Sequence, residues 1–160
     1  MLAADWPRVA AIYADGIATG DATFETEVPT WEWWDAGHLK NCRWVAVEGE
    51  TGSVLGWAAL APVSTRPVYA GIGEVSVYVG REAWGRGVGG ALLTRLVEDS
   101  EANGMWTLQA GIMAENEVSI RLHERCGFRV LGRRERPGKL HGAWRDTVLM
   151  ERRSAKVGIE

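Results

Sequence analysis

Val9, Ile12 and Tyr13 recur at helical spacing behind Asp5, a residue suited to capping, and predict a first helix. Thr30 stands ready to cap a second, short helix through Trp31, Trp33, Trp34 and Leu39. From Cys42 to Glu48 the pattern switches to the alternation of a half-buried strand, and Gly49-Glu50-Thr51-Gly52 turns the chain. Ser53 to Ala61 then pairs back antiparallel. Pro62 to Gly71, with two prolines and a glycine, reads as a loop. Glu74 to Val79 is a third strand, and Val88, Ala91, Leu92 and Leu96 mark a helix after it. Trp106 to Ile112 reads as a central strand buried on both faces. Asn116 caps a helix that stops at Gly127, a residue suited to the left-handed position past a helix end. Phe128 to Glu135 and Thr147 to Glu151 are two closing strands, and Arg152 to Glu160 is expected to be a loose tail. The order predicts one mixed α/β domain over residues 1–152, followed by a polar tail at 153–160.

Composition narrows the partners. A chain of 160 residues buries one proper core. Its net charge of −3, without a long basic block, argues against nucleic acid as a partner. The longest apolar run, Val54 to Val63, is too short to cross a bilayer. Met1 to Val9 has no basic flank and meets Asp5 at once, so no secretory signal is expected and the cytoplasm is the expected compartment. Cys42 and Cys126 lie far apart and fit no metal spacing, which favours buried thiols and no metal.

The chemistry concentrates in Gly85-Arg86-Gly87-Val88-Gly89-Gly90, where four glycines fall between a strand and a helix. Free N–H groups of a first helical turn, with the helix dipole behind them, make an anion site there. Bare backbone lets phosphates come close. A tight turn is the competing reading, adequate for one glycine and less so for four. The stretch also satisfies G-x-G-x-x-G, but the strand Trp106 to Ile112 lacks the carboxylate that a dinucleotide ribose requires. No Gly-Lys-Ser/Thr is present for a nucleotide P-loop. The pyrophosphate of coenzyme A remains.

Two motifs carry a family resemblance. Gly87-Val88-Gly89 supplies the second half of Q/R-x-x-G-x-G/A, with Trp84 at its first position and Arg86 available as the cation. Asn116 to Phe128 resembles N-x-x-S/A-x-x-x-Y/H-E-x-x-G-F. Together they resemble the GNAT superfamily of acetyl-CoA-dependent N-acetyltransferases, and most closely its phosphinothricin and methionine sulfoximine acetyltransferases. Ile12-Tyr13 through Thr23-Phe24, Glu74 to Val79, Ser119 to Glu124 and His141 to Asp146 carry that closer likeness, up to about Glu151. The resemblance implies a mixed, mostly antiparallel sheet with splayed central strands and flanking helices. Almost nothing precedes Ala4-Asp5-Trp6, so either the family's first strand is cut short or the true start lies upstream.

The same resemblance implies site roles. Acetyl-CoA would lie on Val77, Tyr78 and Val79, on Gly85 to Gly90 (Arg86 and Val88 included), and on Asn116 and Ser119. An amine attacks a thioester only when neutral, so a base must take its proton. Glu74, at the start of its strand, is the candidate; a solvated strand-edge carboxylate is the bland alternative. His123 is the candidate acid or relay, against a half-buried packing histidine. Arg66 and Tyr69 would clamp an acceptor's carboxylate or phosphinate, because a guanidinium matches such groups bidentately. Phe24 would wall the acceptor pocket. His141 lines it or is a plain loop residue, and His38 is expected to be solvated. Trp31, Trp33 and Trp34 pack the core or form a subunit interface. The expected protein is a homodimer that acetylates the α-amine of a small amino-acid analogue. Another small amine, a protein N-terminus, or a non-catalytic acyl-CoA sensor are the alternatives.

Overall fold

The two hydrophobic periods become two cores on opposite faces of one sheet. In the computed structural model, which describes residues 1–159, the elements run α1 (Trp6–Thr19), α2 (Trp31–Gly37), β1 (Arg43–Val47), β2 (Val54–Pro62) and β3 (Ile72–Val79). They continue α3 (Val88–Ala102), β4 (Thr107–Met113), α4 (Glu117–Arg125), β5 (Arg129–Leu140) and β6 (Ala143–Arg153). The sheet has six strands in the order β1-β2-β3-β4-β6-β5. Every neighbouring pair is antiparallel except β3 with β4. Leu92, Leu93 and Leu96 of α3 pack with Leu60, Leu108 and Met150 on one face. Val9 and Ile12 of α1 pack with Trp34 and Trp57 on the other. The mixed, splayed sheet with flanking helices is the architecture expected from the sequence.

Local chemistry explains the helix ends. The Thr30 hydroxyl accepts from Trp33 N at 3.3 Å, and Asn116 Oδ1 accepts from Ser119 N at 3.0 Å. Asp5 behaves differently from expectation. Its carboxylate accepts from Leu2 N at 2.7 Å, closing a 3-10 turn at Ala3–Asp5, and makes no side-chain cap on α1. No strand precedes α1 among the described residues; Met1 N donates to Arg43 O of the edge strand β1 at 3.0 Å.

Three further expectations change. The closing strands are longer than their sequence pattern, and Arg152 and Arg153 belong to β6 rather than to a loose tail. Beyond them Ser154 is buried, and Glu101 holds this end through Arg152, Ser154 and Lys156 at 2.9, 3.0 and 2.9 Å. His38 is not solvated: it stacks on Trp34 at 4.0 Å, with Nδ1 2.7 Å from Trp34 O, and burial lowers its pKa. Trp34 itself is buried in the core, so of the three clustered tryptophans only Trp33 stands well exposed. Both cysteines are free, and burial pushes the Cys42 thiol up to about 12. No helix among the described residues is long and apolar enough to cross a membrane.

Candidate active site

The sheet opens where its one parallel pair gives out. β3 and β4 pair only at Ile72↔Thr107, Gly73↔Leu108 and Glu74↔Gln109. Beyond that point β3 stays with β2 as far as Val79, and β4 stays with β6 as far as Met113. The strands therefore part, and backbone groups along the gap have no strand partner there. A cleft of about 710 Å³ runs through the opening, between Glu74–Val79 and Ala110–Met113. Glu74 stands at its apex. Gln109, directly opposite, donates Nε2 to Glu74 Oε2 at 3.0 Å.

One end of the cleft is formed by the glycine turn. Gly85 and Gly87 have φ of +73° and +81°, a conformation that favours glycine over any other residue. Gly87 caps α3 without a side-chain bond, which leaves the first-turn N–H groups open to an anion. Gly85, Gly87, Val88, Gly89 and Gly90 line this end, faced by Asn116 and Ser119 of the α4 start. Gly89 also serves the packing of the helices. A Cβ there would stand 3.2 Å from Leu122 Cδ2, so the bare backbone lets α3 and α4 approach.

Arg86 does not line the cleft. It turns outward to Glu48, with Nη2 2.8 Å from Oε1, an ion pair that lowers the carboxyl pKa and raises the guanidinium's. Two residues that sequence reasoning missed stand at this end instead. Arg125 is the only arginine lining the cleft among the described residues. Trp84 is 58% exposed, its ring fixed by an N–H bond to Val79 O at 2.9 Å. No motif marks Arg125; it reaches the cleft because α4 presents Val118, Leu122 and Arg125 on one face.

The other end lies on the α1 side. Gly16, Thr19 and Asp21 to Phe24 close it, opposite Ser76 and Tyr78. Tyr78 lies against Gly16, where a Cβ would come within 2.6 Å of its ring, and stacks on Trp57 at 4.8 Å. Burial raises the Tyr78 phenol, and the Thr23 hydroxyl sits beside both it and Tyr13. Val77 and Val79 line the cleft from the alternate face of β3.

The remaining predicted residues lie apart. His123 is 2% exposed, edge-on to Phe128 at 5.1 Å, behind the wall that Ser119 and Leu122 present. Its Nδ1 is 2.8 Å from Ser119 O, so that nitrogen carries the hydrogen, and Nε2 is buried without a partner. Burial lowers its pKa and keeps the ring neutral. Arg66 and Tyr69 sit on the exposed loop before β3, the guanidinium 5.4 Å over the phenol ring, and line no part of the cleft. His141, at φ +48° in the β5–β6 turn, lines a shallower hollow of about 520 Å³ with Gly20 and Thr26 to Val28. Among the described residues no cluster of side chains could hold a metal.

Residues 6–128 match the model of the acetyltransferase (GNAT) family. The chain is 33% identical over 152 residues to an L-methionine sulfoximine/L-methionine sulfone acetyltransferase of Pseudomonas paraeruginosa, covering 92% of this chain and 88% of that one. It superposes on a GNAT superfamily phosphinothricin acetyltransferase from Sinorhizobium meliloti, solved with AcCoA, at a TM-score of 0.88 and 31% identity. That match covers all of this chain and 89% of the other. A ribosomal-protein-alanine N-acetyltransferase from Brucella melitensis matches at a TM-score of 0.86 and 30% identity, over 96% and 97% of the two chains.

Proposed function

Because this chain belongs to the GNAT acetyltransferase family, we propose that it acetylates the α-amine of a small amino-acid analogue such as phosphinothricin or methionine sulfoximine. It is an acetyl-CoA-dependent acyltransferase. The observation that carries the acceptor reading is Glu74 at the apex of the strand separation, with a glycine anion turn on one side and an end walled by Asp21 to Phe24 on the other.

The glycine turn fits coenzyme A. Gly85 and Gly87 offer backbone where a Cβ would be strained, and the uncapped start of α3 offers donors to a pyrophosphate. Acetyl-CoA supplies the activated acetyl group as a thioester. Val77 to Val79, Asn116 and Ser119 would hold its arm along the gap, and Arg125, which lines the cleft, would meet its phosphates in place of Arg86. The acceptor would enter from the α1 end, walled by Phe24, and Glu74 would take the ammonium proton directly or through water. Gln109 keeps that carboxylate aimed into the opening.

Transfer is direct in this reading. His123 is not a resting acid in this reading, because its ring is neutral and its one N–H is committed to Ser119 O. It meets the cleft only through Ser119. Arg66, exposed on the loop before β3 and outside the cleft lining, would have to turn from Tyr69 towards the opening to bind the acceptor's carboxylate; it makes no ion pair among the described residues that would hold it back. We read the enzyme as a cytoplasmic homodimer serving detoxification. The name of the Brucella protein favours a second reading, a protein N-terminus as acceptor.

Amidation of the acceptor separates the two. The free acid should be acetylated at least ten-fold more efficiently than its carboxamide, since a charged hydrogen bond is worth roughly 1.5–3 kcal/mol. Arg66→Ala should erase that preference and leave the KM for acetyl-CoA unchanged. Equal rates for acid and amide in the wild type would favour the peptide reading.

A further inference from the structure

The sequence His141 to Asp146 carries an arginine for which the proposed chemistry has no use. Arg145 lies on β6 with its side chain only one-fifth exposed. Nη1 donates to Gly20 O at 2.7 Å, across the space between the hairpin and the end of α1. Glu115 steadies it, with Oε1 3.3 Å from Nε. Gly20 is the left-handed residue that ends α1, and the segment that follows it, Asp21 to Phe24, closes the acceptor end of the cleft. Asn116 fastens the next residue, donating Nδ2 to Asp21 O at 3.3 Å.

The far end of the same segment meets the same rung of the hairpin. Arg145 pairs across the ladder with Gly138, so both residues address the α1 side of the sheet. A Cβ on Gly138 would stand 3.0, 3.2 and 3.3 Å from three atoms of the Phe24 ring. Phe24 is thus seated on bare backbone. The seat depends on the bulge just before it, where Arg136 has φ +48° and its N–H is held by Asp146 Oδ1 at 2.9 Å. Gly138 itself has an ordinary backbone conformation, so its lack of a side chain answers to Phe24 and not to a turn.

We propose that the Gly138–Arg145 rung sets the width of the acceptor end, and so the largest acceptor that the enzyme admits. Arg145 holds Gly20, from which the Asp21–Phe24 wall starts, and Gly138 lets the ring at the end of that wall sit back from the cleft. The proposal rests on the reading that acceptors enter from the α1 end. Both residues are positioning residues; neither touches the reacting atoms.

The test uses a series of α-amino acids of rising side-chain size, from alanine through methionine to methionine sulfoximine and phenylalanine, each as free acid and carboxamide. The readout is the ratio of kcat/KM for the largest accepted amine to that for the smallest. Gly138→Ala should push Phe24 into the cleft and lower this ratio about ten-fold or more, since one carbon in a packed pocket discriminates at that level. Its acetyl-CoA dissociation constant, titrated without acceptor, should not change. Adding Phe24→Ala to Gly138→Ala should raise the ratio to the wild-type value or above. Arg145→Met should release the wall and bring the ratio towards one, with Arg145→Lys between.

A ratio that Gly138→Ala leaves unmoved, or a uniform loss for every acceptor, overturns the proposal. The acid-over-amide preference at fixed size reports separately on the acceptor's head group. Its absence alongside an intact size effect would sink the amino-acid reading and leave the rung standing.

Discussion

His123 shows how one side chain couples stability to pH. Burial holds its pKa below the ordinary 6.5, and burial does the same for His38. Between those lowered values and 6.5 the unfolded chain binds more protons than the native one. Stability is therefore full above about pH 6.5 and falls as the pH drops towards the native-state pKa values. Denaturant titrations from pH 7.5 to 5 should show this decline, and His123→Phe should make it shallower; an unchanged slope would mean that the ring already charges freely in the native state. In the proposed reaction, catalysis puts the complementary demand on Glu74. Glu74→Gln keeps its shape and should lower kcat by roughly 10²–10⁴, the loss typical of a principal acid–base group, with little effect on acetyl-CoA binding. A rate within a few-fold of wild type would mean that the amine arrives neutral. The family resemblance names Glu74 as the candidate base and the structure sets it as the third residue of β3, whereas nothing in the sequence marks Gln109. Its role depends on a parallel register that brings two residues 35 positions apart face to face.

At the level of elements, the glycine turn is legible because its composition has few other uses. The structure then divides labour among those glycines. Gly85 and Gly87 supply positive φ, and Gly89 supplies clearance beneath Leu122. Gly87→Ala should therefore cost about 1 kcal/mol or more in stability, because a Cβ is strained in the left-handed region, and should weaken acetyl-CoA binding measured by titration. Unchanged affinity in the folded variant would remove the turn from the cofactor site. The β5–β6 hairpin reads too short in the sequence for an equally physical reason. Arg133 to Lys139 has no hydrophobic alternation to announce a strand, and it pairs through its backbone and ion pairs such as Arg133–Asp146 at 2.7 Å. The same blindness hides Arg145 and Gly138, which acquire meaning only once the hairpin's register sets them opposite one another.

Across the whole molecule, the sheet is closed at one end by a charged latch and opened in the middle for chemistry. Lys156, Arg152 and Ser154 hold the Glu101 carboxyl at about 2, against an ordinary 4.5. Stability from this latch is complete above about pH 4.5 and is lost as the pH falls towards 2. Glu101→Gln should cost about 1.5–3 kcal/mol at pH 7, towards the lower figure because Lys156 is solvent-exposed. The thermal midpoint at pH 7 against that at pH 3 checks it: the gap between variant and wild type should shrink in acid. The opened middle carries the central claim, that the cleft transfers acetyl to a small amino acid. The most direct measurement is a competition in which methionine sulfoximine and a peptide with an N-terminal alanine share one pool of acetyl-CoA, with both products quantified by mass spectrometry. The account predicts acetylated methionine sulfoximine in large excess, with the excess lost in Arg66→Ala. Predominant acetylation of the peptide would contradict it.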